Sequence, residues 1–230
     1  METTLISLLA YGAFTLIAGF VLFIAVVAHE GANSLSHSQL QTLAMQGRWQ
    51  GIALTLASPV AIVVLWVAIR RAGRGFSEYL ALNWPSSGEL LRAFAITAIV
   101  VMVGGFLLSF VDSAGRPSLI PILSVQGPGG LLILLIGGCI AAPMMEEFIV
   151  RGFMFRGWSQ SFLGPVGAIV LTSVVWALNH TQYDWFDRFW IFVLGLALGH
   201  FRWRTGSTWL TVIVHSATNI YLFFTMGPYR

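Results

Sequence analysis

The chain has no lysine: all twelve of its basic residues are arginine. Acid is just as scarce, with nine Asp and Glu in 230 residues, so that only 9% of the chain is charged. Soluble domains carry about 25% charge. With 57% hydrophobic residues and a mean hydropathy of +0.82, that shortage excludes a soluble globular chain and indicates an integral membrane protein. The nominal pI of 9.5 reflects a thin excess of arginine spread along the chain. No basic stripe of the kind that holds nucleic acid is present, and no nucleic-acid partner is expected. Cysteine occurs once, which excludes an intrachain disulfide and a thiolate metal cage. Cys139, beside Gly137 and Gly138 in an apolar run, reads as a packing residue. No internal repeat or low-complexity tract is visible.

What is present is a series of apolar runs. Leu5 to Ala28 is nearly charge-free and long enough for a ~30 Å hydrocarbon core. Its start, Met-Glu-Thr-Thr, lacks the basic region of a cleaved signal peptide, so it reads as a retained helix. A polar loop follows, His29 to Gly51, in which an amphipathic piece over Leu40–Trp49 is expected at the interface; His29 and His37 read as solvated loop residues. Further spans are expected at Ile52–Ile69, with a kink at Pro59, and at Ala93–Val111, broken by Asp112 to Pro117. A fourth begins after the Ser124–Gly130 turn and continues to about Trp158. The last three runs, Val166–Leu178, Phe189–Phe201 and Leu210–Phe224, are short for a full span and need polar extensions, tilt or burial against neighbours. Gly195 and Gly199 form a small-xxx-small pair suited to close helix approach, and His200 beside Arg202 reads as interfacial. The expected fold is all-α: a polytopic bundle of about seven membrane segments, within a range of six to eight. Residues 1–125 supply three helices and 126–230 the rest, in one bundle.

Orientation follows from the arginines. With the N-terminus inside, the inner segments hold Arg70, Arg71, Arg74, Arg92, Arg151, Arg156, Arg202 and Arg204, and the outer ones Arg48, Arg116, Arg188 and Arg230. That is the positive-inside direction, with or without the intramembrane Arg151. A small, lysine-free chain reads as prokaryotic, placing it in the cytoplasmic (inner) membrane.

Against this scarcity of charge, the fourth span spends three charges in Pro143-Met-Met-Glu146-Glu147-Phe-Ile-Val-Arg151. Each costs roughly 2.5–3.5 kcal/mol at bilayer depth on insertion scales, and such residues usually face a bundle interior or a wet cavity. Glu147 and Arg151 share a helix face with the acid N-terminal, the better order for a pair. Glu146 is rotated by about 100° and lacks that partner. Two adjacent acids in different environments are how a chain separates a structural carboxylate from a reactive one. Pro143 is expected to kink the helix.

Polar groups recur at depth in two later spans, as Trp176-Ala-Leu-Asn179-His180 and as His215-Ser-Ala-Thr-Asn219. At 1.5 Å per residue, Glu146 lies roughly 18 Å, His180 roughly 22 Å and His215 roughly 12 Å from one surface, so their side chains can reach a common layer. One carboxylate and two histidines suit a glutamate-activated water attacking a carbonyl. They equally suit a divalent metal such as zinc on a His, His, Glu set, or a proton relay in a transporter. A polar cluster that only locks helix packing stands beside these readings.

Together the motifs resemble the CAAX-protease and bacteriocin-processing (CPBP) family, also called the Abi or type II CAAX prenyl endopeptidase family. Glu146-Glu147-x-x-x-Arg151 matches its first motif. The second, an aromatic followed four residues later by histidine, matches Trp176 and His180. His215-x-x-x-Asn219 matches the third, and Arg204-Thr-Gly-Ser207 before it is also typical. The second motif usually begins with phenylalanine; Trp176 is expected to alter pocket packing without losing the chemistry.

The resemblance implies an intramembrane endopeptidase. Glu146 would be the general base, aided by His180; His215 and Asn219 would stabilise the oxyanion; Glu147 and Arg151 would be supports. It implies a peptide or membrane-protein substrate in the bilayer. No cofactor is expected, because Glu146 lacks the His-Glu-x-x-His spacing of familiar zinc helices; a metal-dependent version is the alternative. So, from another class, is a non-catalytic scaffold or bacteriocin-immunity protein. The family includes processors of prenylated proteins, whereas a bacterial member could trim peptides or bacteriocin leaders, or act in regulated proteolysis.

Overall fold

A computed structural model describes residues 2–30, 46–111 and 127–226. The loop around His37, most of the Leu40–Trp49 piece, the break at Asp112 to Pro117 and the first part of the Ser124–Gly130 turn lie outside the described residues, as does the side chain of His29. The described residues are all-α, with eight helices and no strand. They are α1 (Glu2–Glu30), α2 (Gly47–Arg71), the short α3 (Phe76–Leu80) and α4 (Ser87–Val111). A broken run over 127–159 is α5, followed by α6 (Gly164–Asn179), α7 (Trp185–Thr205) and α8 (Thr208–Met226).

Four of these, α1, α2, α4 and α5, are long and apolar enough to cross a membrane by length and composition. The last three extend their apolar runs with polar ends, as the short runs required: α6 has 16 residues, α7 has 21 and α8 has 19. Gly47–Trp49 are the first turn of α2, so this part of the expected interfacial piece belongs to a membrane-length helix. The helix also runs on through Pro59. Large side chains such as Leu16, Phe20, Phe106 and Phe110 stand exposed on the outside of the bundle. On a lipid-facing surface they need no protein cover. The chain is therefore a multi-pass membrane protein.

Glycine lets the helices close on one another. A Cβ on Gly51 would lie 2.5 Å from the Ile133 carbonyl oxygen, and one on Gly137 would lie 2.5 Å from the Gly51 carbonyl oxygen, so α2 and α5 cross backbone to backbone. The Gly195/Gly199 pair has the expected role. Cβ atoms there would come within 2.9 Å of Ser173 and Ile169 on α6.

α5 departs from regular helix twice, with π-helical turns at Gly137–Ala141 and Phe148–Met154 on either side of Ala142–Glu147. The first directly precedes Pro143, whose missing N–H cannot continue the α-helical ladder. Such turns insert one residue and re-aim the side chains beyond them.

The Arg204-to-Ser207 run has a structural job. Gly206, at φ 63°, ends α7. Ser207 accepts from the Leu210 N–H to cap α8 and donates to the Asn83 carbonyl, while Thr208 donates to that of Leu80. These bonds tie the α7–α8 corner to the segment after α3. Arg156 joins the same end by donating to the Glu78 and Tyr79 carbonyls. His200 is exposed on α7, with its ring against Phe201 and Trp203.

Candidate functional site: a carboxylate, two histidines and an amide around one cavity

The π-helical breaks flank the turn that carries both glutamates, and the two acids part company there. Glu147 and Arg151 are fully buried and paired, Nη1 to Oε1, at 2.8 Å. Arg151 is held further by the Gly195 carbonyl at 3.4 Å and by the Trp176 ring, 4.2 Å from its guanidinium carbon. The pair expected from i,i+4 spacing is present, and it has a third member: His215 Nδ1 lies 3.0 Å from the same Glu147 oxygen. Glu147 thus orients a histidine from α8 as well as pairing within α5.

Glu146 is partly exposed and lines a cavity of about 610 Å³ together with Trp176, His180, His215 and Asn219. The cavity is walled mainly by apolar side chains of α4, α5, α7 and α8. One oxygen of Glu146, Oε2, accepts from Trp176 Nε1 at 2.6 Å. His180 ends α6, and its Nδ1 lies 2.7 Å from the Trp176 carbonyl. A carbonyl, and a carboxylate already paired with arginine, can only accept. Both histidines therefore carry a proton on Nδ1, which leaves Nε2 as the nitrogen free for chemistry. Asn219, one turn after His215, donates one amide hydrogen to the Gly138 carbonyl in the first π-helical turn, at 3.0 Å, and keeps the second.

Trp176 is the hub. Its ring meets those of His180 and His215 edge to face, each at 5.1 Å between centroids, with the Arg151 guanidinium on its face. All six polar residues of the three motifs thus meet around one indole and one cavity.

Two tyrosines join them that the sequence did not single out. Tyr183, in the α6–α7 turn, stacks on His180 at 6.0 Å and lines the cavity. Burial, with Asp187 and Glu146 nearby, pushes its phenol above the ordinary range, so it enters as a neutral hydroxyl. Tyr11 comes from α1 and packs on the core cluster that holds Met145, Ile149 and Trp176. Its phenol stands near Asn179 and within electrostatic range of Glu146. No sequence signal marks either one, since neither lies in a motif or carries a charge. Cys139 is buried in the first π-helical turn and borders the cavity.

Among the described residues, no three His, Cys, Asp or Glu side chains come together in a way that could hold a metal ion. Glu146, His180 and His215 line the same cavity.

A polytopic helical bundle that gathers a free carboxylate, two Nε2 nitrogens and an amide around an internal cavity has the equipment of an intramembrane hydrolase. Residues 128–221 match the family described as type II CAAX prenyl endopeptidase, Rce1-like. That match spans the stretch that holds all three motifs, and over it the chain is similar to the CAAX protease family. The match ends short of α1–α4. No curated protein and no solved structure matches the chain.

Proposed function

We propose that the protein is an endopeptidase that cleaves a peptide bond within the membrane by direct attack of water. Glu146 and His180 Nε2 hold the water between them. Glu146 removes its proton as the oxygen attacks the carbonyl carbon, and the same proton then passes to the leaving amine as the C–N bond breaks. The spare amide hydrogen of Asn219, with Nε2 of His215 when that nitrogen is protonated, faces the developing oxyanion, the step at which fixed donors contribute most. Glu147 and Arg151 take no part in bond making; they hold His215 and Trp176. The observation that carries this reading is the inequality of the two acids: Glu147 is enclosed by Arg151 and His215, while Glu146 opens onto the cavity. This reading assigns no role to a metal.

The cavity supports an extended, apolar peptide segment as substrate, entering from the bilayer or from the membrane surface. Trimming of peptides or leaders in a prokaryotic cytoplasmic membrane fits the chain's composition better than prenylated proteins do. The test compares protein N-termini in cells making the wild-type protein and the Glu146→Gln variant at equal levels. New N-termini confined to the wild-type cells are expected. The same set from both would reject the reading, and an unchanged phenotype in the variant would favour a scaffold or immunity role.

A further inference from the structure

Trp176 stands where the family motif usually has phenylalanine, and its extra atom has a partner. The indole Nε1 donates to Glu146 Oε2 at 2.6 Å, a short bond of the charge-assisted kind. The ring cannot swing away from that bond. It is buried, its face is covered by Arg151, and its edges are set against His180 and His215. The backbone of the same residue accepts from His180 Nδ1 at 2.7 Å. One residue therefore holds both proposed partners of the water, the carboxylate through its side chain and the histidine through its carbonyl.

We propose that Trp176 is a positioning residue of this protease. Its N–H occupies one oxygen of Glu146, fixes the plane of the carboxylate and leaves Oε1 as the single oxygen offered to water. A phenylalanine in this place would keep the ring contacts and leave the Glu146 side chain free to turn about its last torsion, which is broad and roughly two-fold. Misplacement of a reacting group by about 1 Å can cost on the order of 100-fold. The inference rests on Glu146 being the base.

The experiment uses full-length protein in detergent and a quenched fluorogenic peptide spanning a site found by the comparison of N-termini. Trp176→Phe should lower kcat on the order of 10–100-fold, the worth of a hydrogen bond to a charged group, with KM unchanged. Site-specific replacement of Trp176 by 3-benzothienylalanine, which keeps the two-ring shape and has sulfur in place of N–H, should give the same loss even if phenylalanine disturbs folding. In a Glu146→Asp background, whose carboxylate falls a methylene short of the indole, Trp176→Phe should cost less than about 2-fold more, because contacting residues couple and a merely structural role would not. A kcat within about 2-fold of wild type for the benzothienyl protein would overturn the proposal, as would equal losses in both backgrounds. Glu146→Gln is measured alongside. Full activity there would sink the assignment of the base itself, whereas its inactivity beside an unaffected benzothienyl protein would sink only the role of Trp176.

Discussion

Arg151→Met should be among the most damaging single substitutions outside the reacting groups. The guanidinium is fully buried, and among the described residues its carboxylate partner is Glu147, 2.8 Å away. Removing one member of a buried pair costs about 3–5 kcal/mol, chiefly because the other charge is stranded. His215 stays on the same Glu147 oxygen, which puts the loss toward the lower end, about 3 kcal/mol. The contact with the Trp176 face adds about 1–2 kcal/mol, as for a desolvated cation over an indole. Against a total stability of about 5–15 kcal/mol that is a large fraction. The double variant Glu147→Gln/Arg151→Met strands no charge, so it should be more stable than Arg151→Met alone despite carrying one more change. Heating in detergent and measuring the monodisperse fraction by size exclusion gives the ranking without assuming reversible unfolding. Wild type should come first, the double variant second and Arg151→Met last. An Arg151→Met protein as heat-resistant as wild type, or a double variant below it, would refute the claim that a stranded buried charge dominates the cost.

The helix crossing at Gly51 should tolerate no side chain. Its Cβ would meet the Ile133 backbone at 2.5 Å, where nothing can rotate aside. Gly51→Leu should lose at least about 1–3 kcal/mol, the usual cost of overpacking, and fall well below wild type in the same heating assay. Gly12→Ala, whose Cβ meets nothing within 4 Å, should match wild type, and equal behaviour of the two would contradict the crossing. Activity should survive 1,10-phenanthroline and EDTA, and mass spectrometry of active protein should find no stoichiometric metal. Loss of activity with chelator, restored by zinc, would instead favour the metal-dependent alternative.

The sequence by itself determined the solvent and the helices. Few charges and long apolar runs leave no fold but a membrane bundle, because unpaired backbone groups are too costly in lipid. It also determined the Glu147–Arg151 pair, since residues four apart on a helix are neighbours wherever that helix is placed. Three motifs in order were enough to give a family resemblance, which the match over residues 128–221 shares, and the list of polar residues that meet.

Tertiary structure decided how they meet. Glu147 lies 68 residues from His215, and Glu146 lies 30 from Trp176. Whether such pairs touch depends on the rotation and spacing of three separate helices, which hydropathy leaves open. Those rotations are set by contacts with no chemical signature of their own: glycine crossings at Gly51 and Gly195, π-helical turns that re-aim α5, and the Ser207 cap that fixes the start of α8. Tyr11 and Tyr183 reach the site for the same reason and went unmarked, because an aromatic side chain in an apolar chain looks like packing until the fold shows what lies beside its hydroxyl. The Trp176 ring could be read as a bulkier phenylalanine from the motif alone. Only the approach of α6 to α5 turns its N–H toward Glu146 and makes the two neighbouring acids different in kind.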